Sequence, residues 1–150
     1  MTTKNELPDI FKNVQVNEQL NLLEQKALNI ISDMSKQYVE WTTNDVLKLK
    51  KLMEQIYLLT DTEQETLIRN DLYRTAHDIK GQGTTFDYPL MSDLGAHICA
   101  LIKTTSSFKK HHLDIISKDI DDMLLVLTKK LQGDGGQLGA NISNRLQTEN

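Results

Sequence analysis

Apolar residues in this chain recur at alternating spacings of three and four, again and again. The spacing holds through Leu20, Leu23, Ala27, Ile30 and Met34, then through Val46, Leu49, Leu52, Met53, Ile56 and Leu59. It returns in Leu72, Ala76, Ile79, Gly83 and Phe86, in Leu90, Leu94, Ile98, Leu101 and Ile102, and in Leu113, Ile116, Ile120, Met123, Leu124 and Leu127. Such spacing lines one face of an α-helix and scatters over both faces of a strand. Five such stretches, with few glycines and prolines and no β-branched runs, predict an all-α fold.

Local signals set the expected boundaries. Residues Met1 to Val16 read as a leader, in which Pro8 and mixed polarity argue against a long helix. Asn17 is the expected N-cap of a first helix ending near Tyr38, and Thr43 that of a second. The polar stretch Glu40–Asn44 leaves open whether these two are joined near Trp41. Thr62 with Glu65 fits a capping box for the third helix, which should end before Pro89. Pro89 suits the first turn of the fourth, and Thr104–Ser107 is the next break. A fifth helix is expected from Phe108 to Leu131, stopped by Gly133-Asp134-Gly135-Gly136. Leu138, Ile142 and Leu146 allow a short tail helix.

Short links favour antiparallel neighbours. The expected architecture is an antiparallel up-down four-helix bundle with an additional N-terminal helix and a short C-terminal tail. Its domains are a leader at 1–16, a bundle at 17–132 and a Gly-rich tail at 133–150. The first helix is expected to pack along the bundle in a monomer, with pairing to a second copy as the alternative.

Bulk properties narrow the function. A net charge of −4 with no basic stripe argues against nucleic acid. Cys99 is the single cysteine, so neither an internal disulfide nor a CxxC motif exists. No run approaches 18 apolar residues and MTTKNELPDIF has no apolar h-region, so no membrane association and a cytoplasmic location are the default expectations. The apolar stripes offer no inward Glu-x-x-His pairs, so no cofactor or metal is expected in the core. His97 and the adjacent His111 and His112 read as ordinary histidines, Cys99 as a core residue, and Tyr38 and Trp41 as packing at a helix junction.

His77 stands apart. At about 100° per residue, the stripe of Leu72, Ala76, Ile79, Gly83 and Phe86 stays within roughly 40° of Leu72, while His77 lies about 140° away. Tyr73, Lys80, Gly81 and Thr84 share the outward side. A neutral imidazole carries a nucleophilic nitrogen lone pair, so an exposed His77 is a candidate nucleophile. Lys80, one turn on, supplies a cation. Gly81 costs about 1 kcal/mol in a helix relative to Ala, which points to a steric need for bare backbone. Gly83, on the core side, admits a closely packed neighbour.

His77-Asp78-Ile79-Lys80-Gly81 matches the H-x-x-K-G signature of histidine phosphotransfer (HPt) domains. The wider run AHDIKGQGTTFDYPL resembles the AH-x-x-KGQG-x-x-FGYPL form of stand-alone bacterial HPt proteins. The resemblance spans roughly Val39 to Gly139. It implies a phosphorelay intermediate in multistep two-component signalling, not an autonomous kinase. His77 would accept a phosphoryl group from a receiver-domain aspartate and pass it to another receiver. Lys80 would neutralise charge and Gly81 would admit the partner, with Tyr73, Gln82, Thr84 and Tyr88 as partner-binding surface. No cofactor is implied, since the Mg²⁺ belongs to the receiver. The implied partners are receivers of response regulators or hybrid histidine kinases. Asp87 departs from the family's glycine and Thr84-Thr85 from a smaller pair, which should alter partner preference. A non-catalytic adapter that binds a receiver or kinase is the alternative.

Overall fold

The computed structural model describes residues 9–59 and 61–149, with side chains from residue 17 onward. The protein is all-α. Its elements are α1 (Asp9–Leu58), α2 (Thr62–Gly83), a 3₁₀ turn (Thr84–Phe86), α3 (Pro89–Thr104), α4 (Lys110–Thr128) and α5 (Gly136–Thr148). The chain divides into two compact units, one ending at Gln37 and one beginning at Tyr38.

In the N-terminal unit the structure corrects three expectations. Helix runs from Asp9, so Asp9–Val16 is not an irregular leader; Met1–Pro8 lies outside the described residues. Asn17 is inside the helix and caps nothing. The apolar stripe is not packed away: every side chain from Asn17 to Met34 is exposed.

The junction left open near Trp41 is continuous helix: α1 does not end near Tyr38 but runs on to Leu58. Thr43, the expected cap, donates its hydroxyl to the Val39 carbonyl one turn back, at 2.6 Å. A hydroxyl satisfied within the helix has no call to end it. Thr42 is buried, whereas Trp41 is 51 % exposed and packs at no junction.

The second unit is built on one apolar cluster. Tyr38, Val46, Leu49, Met53 and Ile56 of α1 join Leu72, Ala76 and Ile79 of α2. Met91, Leu94, Ile98 and Ile102 of α3, Ile116, Ile120, Met123 and Val126 of α4, and Ile142 and Leu146 of α5 complete it. Burying one large aliphatic side chain contributes about 1.5–3 kcal/mol, so the five interlocking stripes dominate the stability of this unit. The tail at 133–150 is therefore largely a core-forming helix.

Caps differ in detail from expectation. Asp61, not Thr62, caps α2, accepting from the Glu63 amide at 3.0 Å. Glu65 instead accepts from the Phe108 amide at 3.3 Å. Arg69 donates to the carbonyls of Ile102 and Ser106, satisfying the end of α3, and lies 4.7 Å over the Phe108 ring. α4 stops at Thr128, before the glycines, and Lys130 takes a left-handed conformation there.

A buried charge cluster ties α3, α4 and α5 together. Asp119 is fully buried; one oxygen meets His97 Nδ1 at 2.6 Å and the other accepts from Arg145 at 2.8 Å. Arg145 also donates to Asp122 at 2.7 Å and Glu149 at 2.7 Å. The hydrogen bond to Asp119 holds His97 above the usual imidazole range, against the opposing effect of burial.

Candidate functional site: a histidine and a lysine on the outer face of α2

The site starts from the amphipathic division of α2. Leu72, Thr75, Ala76, Ile79 and Gly83 are buried. On the opposite face His77, Asp78, Lys80, Gly81 and Gln82 are exposed, as is Thr84 at the start of the 3₁₀ turn. Residues three and four apart on a helix are neighbours, so Tyr73, His77, Lys80, Gly81 and Thr84 form one continuous strip.

Around the histidine, the Tyr73 ring lies 6.0 Å from the imidazole with an interplanar angle of 27°. That is stacking range for aromatic pairs. Tyr73 is half-buried, and Lys103 of α3 sits 5.4 Å above its ring, adding a cation to the strip. One side of the imidazole thus leans on an aromatic wall, while its other surroundings are open.

Two glycines play opposite roles. A Cβ on Gly81 would meet nothing within 4 Å, so the surface beside His77 is bare backbone facing open space. A Cβ on Gly95 of α3 would lie 2.8 Å from the Ala76 carbonyl oxygen and 2.8 Å from the Lys80 amide nitrogen. The backbone of α3 thus braces α2 directly behind the turn that carries His77 and Lys80. Gly83 repeats this further on, its missing Cβ giving room to the Tyr88 carbonyl at 2.6 Å. These close approaches hold the strip rigid from behind.

The motif's far end is a defined corner. The Thr84 amide donates to Ser92 Oγ at 3.0 Å, and the Tyr88 amide donates to the Gly83 carbonyl at 2.8 Å. Asp87 has φ 63° and ψ 37°, the left-handed region in which glycine is unstrained. Its carbonyl accepts from the Gly133 amide at 3.1 Å, connecting the corner to the glycine loop.

Tyr88, expected on the partner-binding surface, is not part of the exposed strip. It is 2 % exposed and sits 5.3 Å from the Tyr38 ring. Phe86 stacks on that same ring at 4.7 Å and 15°. Aromatics at Tyr38, Phe86 and Tyr88 pack the corner against α1, and burial pushes the Tyr38 phenol up to about 12.

Asp45, which the sequence reading passed over, belongs to the surroundings of the site. It is half-buried on α1, and burial together with the charge of Asp78 holds its carboxyl above the usual range. Asp78 is the immediate neighbour of His77, so an acidic edge borders the strip. The single cysteine, Cys99, is buried, and burial pushes its thiol up. His97 is committed to Asp119, and His112 accepts from the Lys109 amide at 2.9 Å. Among the described residues no group of three or more His, Cys, Asp or Glu side chains could hold a metal, and no helix is long and apolar enough to cross a membrane.

No protein-family model, curated protein or solved structure matches the chain.

Proposed function

We propose that this protein is a phosphorelay carrier in which His77 shuttles a phosphoryl group between receiver-domain aspartates. The observation that carries the reading is the strip itself: an exposed histidine on a braced helix, a lysine one turn on, and open backbone beside them at Gly81. The sequence resemblance to HPt proteins points the same way.

Phosphoryl transfer asks a protein chiefly for positioning and charge neutralisation. In the proposed step an unprotonated ring nitrogen of His77 attacks the phosphorus of an aspartyl phosphate. The N–P bond forms as the bond from phosphorus to the aspartyl oxygen breaks, and the carboxylate leaves with the electron pair. The other ring nitrogen keeps its proton. Running the step backwards onto a second receiver regenerates His77. Lys80 neutralises the phosphoryl oxygens, Gly81 lets the partner's backbone approach, and Tyr73, Gln82 and Thr84 form the contact rim. The Mg²⁺ that assists the step is brought by the receiver.

In this reading Tyr38–Leu58 of α1 with α2, α3 and α4 make up a four-helix bundle, supported by their shared core, and the setting is the cytoplasm, where receivers reside. The carrier itself has no ATP-dependent kinase activity. The test is transfer of label from a phosphorylated receiver. Wild type should take up acid-labile, base-stable label and His77→Gln none. Equal labelling of both refutes the reading, and receiver binding without any labelling assigns the surface to an adapter instead.

A further inference from the structure

The N-terminal unit presents an apolar face that the functional strip does not use. Leu20, Leu23, Ile30, Ile31 and Met34 are 42–62 % exposed on a regular helix. An amphipathic helix in water draws most of its stability from covering that face, and contiguous exposed apolar surface marks an interface.

The spacing specifies the kind of cover. Leu20, Leu23, Ala27, Ile30, Met34 and Gln37 follow one another at three, four, three, four and three residues. That is a heptad a/d repeat of period 3.5, the seam of a coiled coil. At about 100° per residue, Leu20, Leu23, Ala27, Ile30, Ile31 and Met34 share an arc of roughly 100°.

Charge chooses the orientation and the register. Lys26 and Asp33 occupy successive g positions on one flank, while Glu24 and Ile31 occupy e positions on the other. In a parallel pair g faces e, so Lys26 would meet Ile31 of the partner subunit and form no ion pair. In an antiparallel pair g faces g. Seating Ala27 on the partner's Ile30 and Leu23 on the partner's Met34 brings Lys26 beside the partner's Asp33, and symmetry repeats the pair. A slip by one heptad would set Lys26 against the partner's Lys26 and Glu24 against the partner's Glu24. The favoured register also places the small Ala27 opposite the large Ile30.

We propose that the protein forms a homodimer through residues Leu20–Gln37, as an antiparallel two-stranded coiled coil in this register. Sedimentation equilibrium on the full chain should give twice the 17.1 kDa chain mass. The double variant Leu23→Glu/Ile30→Glu should be monomeric. Lys26→Glu or Asp33→Lys alone should weaken the dimer by roughly 3- to 10-fold, the range of surface charge pairs, and the two together should restore it. Spin labels at Glu18→Cys should sit more than ~30 Å apart, because residue 18 opposes residue 39 in this register. A monomer at tens of micromolar overturns the proposal, as does a mass above two chains or a dimer that survives Leu23→Glu/Ile30→Glu. A short label distance, or charge reversals without mutual rescue, overturns the antiparallel register.

Discussion

Replacing glycine by alanine at Gly81 of α2 and at Gly95 of α3, which packs behind the same turn of α2, should produce opposite results. Gly81 and Gly95 both lie within helices at ordinary negative φ, so each Gly→Ala change gains the same helix propensity, about 1 kcal/mol. At Gly81 the new methyl meets nothing within 4 Å, and that gain stands alone. With roughly 2 cal/mol/K of unfolding entropy per residue, it raises Tm by about 4 °C for a unit of this size. At Gly95 the methyl would lie 2.8 Å from both the Ala76 carbonyl oxygen and the Lys80 amide nitrogen, which are backbone and cannot swing aside. Overpacking of this kind costs about 1–3 kcal/mol. Since the propensity gain is common, the two variants should differ by that packing cost. Urea unfolding measures the difference. Transfer kinetics then separate stability from function: Gly81→Ala places its methyl where, in the proposed function, a receiver would approach, and transfer should slow by at least ~10-fold despite the more stable fold. If Gly95→Ala is as stable as Gly81→Ala, the close approach of α3 behind the site is wrong. If Gly81→Ala transfers at the wild-type rate, the gap has no docking role.

Three further outcomes follow from the same geometry. His97 has its pKa raised in the folded state, so its stabilising contribution is complete below the unfolded value of ~6.5 and is lost as pH rises through the folded one; unfolding midpoints should fall with pH above ~6.5 in wild type and fall less in His97→Asn. Arg145→Ala leaves Asp119 buried with only His97 beside it, and should cost about 3–5 kcal/mol in urea unfolding; a change below 1 kcal/mol would show that the cluster is not a buried ion pair. Asp87→Gly relieves a left-handed residue at the expense of chain entropy and should stabilise by up to about 1 kcal/mol, whereas Asp87→Val should destabilise, both readable as Tm shifts.

How much of this was legible in the sequence depends on the range of the interaction involved. The division of α2 into a buried stripe and an exposed strip is local periodicity, and Leu72, Ala76, Ile79 and His77 lie where spacing puts them. Continuity of α1 was hidden because Glu40–Asn44 is polar: burial of Thr42 depends on neighbours far along the chain, and the back-bond of Thr43 competes with its use as a cap. Tyr88 looked like surface because its partner, Tyr38, is 50 residues away on another helix. The Asp119–Arg145 pair joins residues 26 apart, and nothing in either neighbourhood announces the other. Gly95 read as an unremarked helix position, since its meaning lies in the α2 backbone across from it. Asp87 is the reverse case: its difference from the glycine of the HPt motif that the stretch resembles was visible, and its left-handed φ is one that glycine adopts without strain.

The central claim, that His77 is the phosphoacceptor, is tested most directly by locating the group. After incubation with a phosphorylated receiver, peptide mapping by mass spectrometry at alkaline pH should find one phosphoryl group on His77 and none on His97, His111 or His112. The phosphorylated protein should then return that group to fresh receiver. A phosphoryl group on any other residue, or unmodified His77 under conditions that discharge the receiver, contradicts the account.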